Sequence, residues 1–285
     1  MENTFITWED FSGGFGREMR VASDVFERMK NDGLIDHSLT IMDFTFVAET
    51  KEKLTELVNF MKEHYPYFLE EIKEMDELWE VNGKTNEIPL TGDNMLYWAL
   101  DMYKRGFEFD AQLDAYGSFV CGNDKKIPDL AVSKASFYFD EGIDCYDKGN
   151  LSGALFNWSL VIFLTPDDPN AYYSRAIVKN ELYTWKAALA DYDKALEIAP
   201  DFADALINRG TVKDENGDYI GAISDYQKAL GLPDVETEII QQAYFNLGNT
   251  RYNMNDREEA CINWKKAYEL GAEDAMDRIN EFCKA

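Results

Sequence analysis

A hydrolytic site needs a nucleophile with a base and an orienting group in reach, and this chain of 285 residues has only two histidines, His37 and His64. Ser118 in "YGSFV" lacks the glycine two residues later that a nucleophile elbow requires, and neither histidine follows it in the chain. It reads as a packed strand serine. "SGGFGRE" (12–18) is similar to a phosphate-cradling loop, but no strand precedes it and no glycine fills the third fingerprint position. It reads as a flexible lead-in to a helix. Asp214, Asn216 and Asp218 in "DENGDYIGAISD" have calcium-loop spacing, yet Tyr219 stands where that loop needs glycine and Asp225 where it needs glutamate. No metal site, cofactor or catalytic residue is expected, and the chain reads as a non-enzyme. What remains is recognition chemistry. Side chains suited to a peptide groove, most of them aromatic or amide, recur at Phe139, Tyr173, Ile177, Asn180, Asn208, Thr211, Phe245, Asn249 and Tyr252. A carboxylate run in "EEIKEMDELWE", with Glu70, Glu71, Glu74, Asp76 and Glu77, could oppose a basic partner.

The overall charge points the same way. A formal net charge of −26 argues against binding a nucleic-acid backbone or an anionic membrane, both of which require clustered Lys and Arg. Residues 1–120 hold 11 Lys/Arg and 25 Asp/Glu, a net −14, which leaves −12 for the rest. Both halves are acidic. Such a chain is soluble and favours a basic protein partner. "MENTFITWEDF" lacks the basic and apolar regions of a signal peptide, and a cytoplasmic location is expected. Cys121, Cys145, Cys261 and Cys283 form neither a C-x-x-C pair nor a disulfide framework, so they are expected as reduced thiols.

The groove positions are set by an internal repeat. Gly142, Ala176, Gly210 and Gly248 are separated by 34, 34 and 38 residues. Twelve residues after each stands an alanine (Ala154, Ala188, Ala222, Ala260), and sixteen after each an aromatic (Trp158, Tyr192, Tyr226, Trp264). Small residues facing one another let two helices approach closely while the aromatic fills the space beside them. "KGN" (148–150) and "NGD" (216–218) supply turns between helices, and Pro166, Pro200 and Pro233 stop three of the four second helices. The extra four residues before Gly248 predict a longer first helix in the fourth pair, with Asp234 near its cap. Met276, Ile279 and Cys283 then share one face of a solvating end helix. This pattern resembles the tetratricopeptide repeat. The resemblance implies that the first helices line a concave surface, and that the family's carboxylate clamp is missing here, since Phe139 and Asp204 stand where basic groups would be expected.

Upstream the periodicity changes. "GREMRVASDVFERMKNDG" puts Met19, Ala22, Phe26 and Met29 on one helical face and ends at Gly33. "LTIMDFTFVAE" alternates as a strand, "TKEKLTELVNFMKEHY" is an amphipathic helix, and two weaker strands lie in "PYFLEEIKEMDELWEVNGKTNEIPL". "DNMLYWALDMYKRG" is a second helix and "AQLDAYGSFV" the last strand, where Ala115 and Gly117 would admit a close helix. After the leading helix the order is βαββαβ, the ferredoxin-like arrangement. "NDGLID" (31–36), "IMDFTFVAETKEKLTELVNFMKEHY" (41–65) and "ALDMYKRGFEFDAQLDAYGSFV" (99–120) resemble the regulator of ribonuclease activity B (RraB-like) family. In its closing motif Tyr116 takes the place of the family's tryptophan and Ala115 that of its first glycine. The resemblance implies a domain that binds ribonuclease E away from its catalytic site and damps its activity.

The expected protein is thus α+β: an RraB-like α/β domain over 1–122, a linker over 123–134, and a solenoid of four helix pairs plus a capping helix over 135–285. Its expected role is that of a non-enzymatic regulator or adaptor for a basic protein, with an immunity protein against a nuclease-type toxin as the alternative.

Overall fold

The computed structural model describes residues 3–118 and 128–283. The chain forms two compact units, Met1–Pro166 and Asp167–Ala285. The first holds α1 (Trp8–Asn31), β1 (Ser38–Thr40), β2 (Asp43–Ala48), α2 (Lys51–His64), β3 (Phe68–Leu69), β4 (Lys73–Met75), β5 (Leu78–Lys84), β6 (Ile88–Leu90), α3 (Gly92–Glu108), β7 (Gln112–Gly117), α4 (Ala135–Asp147) and α5 (Leu151–Leu164). The second holds α6 (Pro169–Glu181), α7 (Trp185–Ile198), α8 (Ala203–Glu215), α9 (Tyr219–Leu230), α10 (Thr237–Asn253), α11 (Arg257–Glu269) and α12 (Ala275–Phe282). Cys121 and residues 123–127 of the expected linker lie outside the described residues.

The sheet runs β3-β5-β2-β7, with β4 also on β5 and every pairing antiparallel. A separate two-stranded ribbon joins β1 to β6. Alternation along β2 sends Phe44, Phe46 and Ala48 to the helix side, where Leu54, Leu57 and Met61 of α2 and Trp98 of α3 are buried. Where two weak strands were expected, the segment makes four short ones, because Asp76 takes a left-handed turn (φ 54°) and β3 and β4 share the single partner β5.

Three expectations are corrected here. The glycine-rich lead-in is helical: a Thr7–Asp10 capping box starts α1 before the glycines, and Gly14 lies against Tyr103, whose hydroxyl donates to the Phe11 carbonyl at 3.2 Å. Met19 is exposed, and the buried face of α1 is Phe11, Gly14, Glu18, Ala22, Val25 and Met29. Ala115 and Gly117 are not the close approach to a helix. A register shift between Thr45 and Phe46 turns Ala115 outward, and Tyr116 instead meets Trp98 and donates a 2.5 Å hydrogen bond to Glu18. The tight helix–sheet contact is made at Gly106, against Phe46 and the Ala111 carbonyl.

The helix pair α4–α5 belongs to the unit that contains the sheet. Asp101 of α3, fully buried, accepts from the Tyr65 hydroxyl at 3.0 Å and from the Ser152 N–H at 3.0 Å. Arg105 donates to Tyr65 at 3.0 Å and to the Gly149 carbonyl at 2.8 Å. The turn between α4 and α5 is therefore bonded to a helix of the α/β region, and the compact division falls after Pro166 instead of within 123–134.

The C-terminal helices form an all-helical, tetratricopeptide-like solenoid. In three of the four helix pairs the glycine on the first helix lies against the aromatic ring of the second: Gly142 on Trp158, Gly210 on Tyr226 and Gly248 on Trp264. Turns between paired helices are made by Gly149 (φ 72°) and Gly217 (φ 82°). α10 has 17 residues where α6 and α8 have 13. Its N-cap is Glu236, while Asp234 sits earlier in a left-handed conformation (φ 55°), a turn residue and not the cap.

Candidate functional site

All nine expected groove residues are half-buried. Phe139 lies in the first unit, against Trp158, whose indole N–H donates to the Phe139 carbonyl. The other eight lie on α6, α8 and α10 of the second unit. Cross-repeat hydrogen bonds tie these helices. Asn208 donates to the Tyr173 hydroxyl at 3.1 Å, and Asn246 donates to the Thr211 hydroxyl at 3.2 Å. Tyr173 also packs on Phe202 (centroids 4.8 Å apart), and burial together with the Asp204 charge pushes its phenol up to about 12. Asn249 accepts from the Trp264 indole at 3.1 Å. Tyr252 is covered by Phe282 of α12 at 4.4 Å, which makes it part of the end-helix contact.

A polar ladder behind these residues was not anticipated, although its sequence period is the same 34. Asp191 of α7 holds Arg175 and Lys179 of α6, each at 2.8 Å, and Asp225 of α9 holds Arg209 at 2.5 Å and Lys213 at 2.8 Å of α8. Both aspartates are buried. In the flanking pairs Asn157 and Asn263 occupy the aspartate position and donate to the carbonyls of Gly153 and Glu259 on their own helices. The signal lay in plain view as R-x-x-x-K with an aspartate sixteen residues after the arginine.

At the end of the solenoid a cavity of about 380 Å³ opens beside α10, with Gln242, Phe245, Asn246, Glu273 and Asp274 in its lining. Gln241 donates to the Leu270 carbonyl at 2.5 Å and fixes the turn that forms one wall. Beyond it, Cys261 of α11 is disulfide-bonded to Cys283. This corrects the expectation of reduced thiols: α12 folds back on α11 and brings together two cysteines 22 residues apart. Cys145 is free, and burial with the Asp144 and Glu141 charges pushes its thiol up to about 11, away from reactivity.

In the first unit, Glu70, Glu71, Glu74, Asp76 and Glu77 are all exposed. Glu74 lies on β4, Asp76 and Glu77 in the β4–β5 turn, and Glu70 and Glu71 just before β4, while Phe68 of β3 and Met75 of β4 are exposed as well. Lys73 pairs with Glu70 at 3.4 Å. The histidines do not approach Ser118: His64 contacts the Lys148 carbonyl through Nδ1, and His37 packs on Phe163. Among the described residues no group of three or more His, Cys, Asp or Glu is arranged to hold a metal ion, and no helix is long and apolar enough to cross a membrane.

Residues 191–224 and residues 241–272 each match the tetratricopeptide repeat family. No curated protein matches the sequence. Among solved structures, the chain is similar to PilF of Pseudomonas aeruginosa (21% identity over 52% of this chain and 70% of that one, TM-score 0.47). It is similar to YrrB, described as a TPR protein with an unusual peptide-binding site (19% identity, 66% and 85% covered, TM-score 0.45). A third is MamA from Desulfovibrio magneticus RS-1 (22% identity, 49% and 77% covered, TM-score 0.44).

Proposed function

We propose that this chain is a non-enzymatic adaptor that binds protein partners through the concave side of α6, α8 and α10. The observation that carries this reading is the row Tyr173, Asn208, Thr211 and Asn246, half-buried and hydrogen-bonded from one repeat to the next. A surface already ordered by its own bonds loses little entropy when a peptide lies on it. The α/β region joins in as a second, acidic surface. Its strand order, with β2 between β5 and β7 and β3 outermost, supports a ferredoxin-like sheet, and the similarity of residues 16–120 to the RraB-like family supports a partner that is a basic protein such as a ribonuclease. The exposed carboxylates of the β4–β5 hairpin supply the complementary charge.

A cytoplasmic address belongs to the same reading. There the Cys261–Cys283 bond would be reversible, since cytosolic thiol systems reduce such bonds.

The test is to recover the partner by affinity purification from the native host and measure its association with wild type and with Tyr173→Ala/Phe245→Ala. The double variant is expected to raise the off-rate, and added salt to lower the on-rate over a Debye length of about 8 Å. Binding indifferent to both changes would refute the reading.

A further inference from the structure

The helices α6, α8 and α10 carry five cations, and all are ion-paired within the protein. Arg175 and Lys179 meet Asp191, Arg209 and Lys213 meet Asp225, and Arg251 meets Asp256 at 3.5 Å. Each Arg–Lys–Asp set keeps one net positive charge, but its two cations are held against a buried aspartate and do not stand free to accept a carboxylate. The acids beside the same helices are not matched in this way. Asp204, Asp214 and Glu215 on α8, and Glu273 and Asp274 at the start of α12, have no ion-pair partner among the described residues. A groove of one sign selects a ligand of the other.

The cavity beside α10 has the parts that one particular side chain requires. Phe245 offers an aromatic face for an aliphatic stem or a planar cation, Glu273 and Asp274 offer carboxylates, and Gln242 and Asn246 offer amide oxygens. Asp274 is the N-cap residue of α12, yet its side chain makes no capping hydrogen bond and stays available. The Gln241–Leu270 bond holds the wall in place before any ligand arrives. A guanidinium, planar and carrying five donors, fits such a set better than the single point charge of a lysine.

We propose that this cavity is the anchoring subsite for an arginine side chain of a basic peptide laid along α6, α8 and α10. The proposal rests on the groove being a peptide-binding surface, and its test separates the two. The probes are fluorescein-labelled Gly/Ser/Leu peptides of about twelve residues, a length that crosses several repeats when extended. They carry arginine, lysine or glutamate at the same positions, and their anisotropy is read with the full chain near 0.15 M ionic strength. The arginine peptide is expected to bind most tightly and the glutamate peptide not at all. E273Q/D274N should weaken the arginine peptide about tenfold, whereas E52Q/E56Q, which removes the same charge from the exposed side of α2, should leave it within about twofold. If both double variants act alike, the subsite is wrong. If Tyr173→Ala then still weakens binding, the groove reading survives without it. A preference for the glutamate peptide, or binding of none, overturns both.

Discussion

Arg209 meets Asp225 fork to fork, through Nε at 2.9 Å and Nη2 at 2.5 Å, thirty-four residues beyond the same pairing of Arg175 with Asp191 at 2.8 Å through both nitrogens. Each aspartate is buried between the two helices of a pair and is ion-paired with a lysine as well as the arginine. Removing the aspartate leaves two cations in place without it. Asp225→Ala should destabilise the protein by about 3–5 kcal/mol, the range for breaking a buried pair by deleting one partner. Asp193→Ala should cost far less, because Asp193 is exposed and Arg209 keeps Asp225. Urea unfolding of the two variants checks the contrast.

The small residues of the repeat make a second contrast. A methyl group added at Gly210 would run into the ring of Tyr226, while one added at Gly13, inside α1, meets nothing within 4 Å. Gly210→Ala is expected to lower stability by about 1–3 kcal/mol through overpacking. Gly13→Ala should raise it by about 0.5–1 kcal/mol, since alanine restricts the unfolded chain and favours the helix. Melting temperatures moving in the same direction would refute the packing argument.

These glycines also mark what sequence could and could not reveal. Gly142, Gly210 and Gly248 were legible because each recurs at a fixed distance from an aromatic, and the structure puts the two in contact. Gly13, Gly14 and Gly16 were misread, since their low helix propensity outweighed the Thr7–Asp10 capping box that starts α1 ahead of them. The Arg–Lys–Asp ladder was as periodic as the glycines, but charged residues read as a solvated face until the partner helix is in place. Ala115 was assigned to the wrong side because a single register shift in β7 inverts every later side chain. The disulfide depends on α12 folding back, which spacing alone does not encode.

The bond network of Asp101 predicts where the chain can be divided. A fragment ending at residue 122 would leave Asp101 and Arg105 without the Ser152 N–H and the Gly149 carbonyl, and would expose the α3 surface that α5 covers. A buried charge stripped of its donors costs about 1–3 kcal/mol or more. The fragment 1–166 should therefore unfold cooperatively at a higher temperature than 1–122. Equal melting temperatures by circular dichroism would show that α4–α5 contributes nothing to the first unit.

Asp110 is a pH-sensitive clasp on the N-terminal segment. Its carboxylate, in a left-handed residue (φ 51°), accepts from the backbone N–H groups of Thr4, Phe5 and Ile6 and pairs with Lys53 at 2.6 Å. Burial alone would raise its pKa, but Lys53 and these donors outweigh it and hold the group at about 2, below its ordinary 3.8. A depressed carboxylate contributes stability that is complete above the unfolded value and fades as pH falls toward the folded one. Wild type should exceed Asp110→Asn by about 2 kcal/mol at neutral pH, with the gap closing between about pH 4 and pH 2. A gap that stays constant with pH would assign the effect to packing instead of charge.

The Cys261–Cys283 bond offers a separate control over the end of the solenoid. It closes a loop of 22 residues that includes the whole of the α11–α12 turn, and α12 in turn lays Phe282 on Tyr252 and Trp264. Closing a loop of that length restricts the unfolded chain by about 3 kcal/mol. The contacts of Phe282 and the buried Ala275 would hold α12 in place only weakly once the bond is cut, because Ala275 is the one buried residue of that helix. Reduction with a dithiol, or Cys283→Ser, should therefore increase amide exchange first in α12 and around Gly271–Asp274, with α6 and α8 unaffected. If exchange in α12 is unchanged after reduction, side-chain packing alone fixes the end helix and the bond has no conformational role.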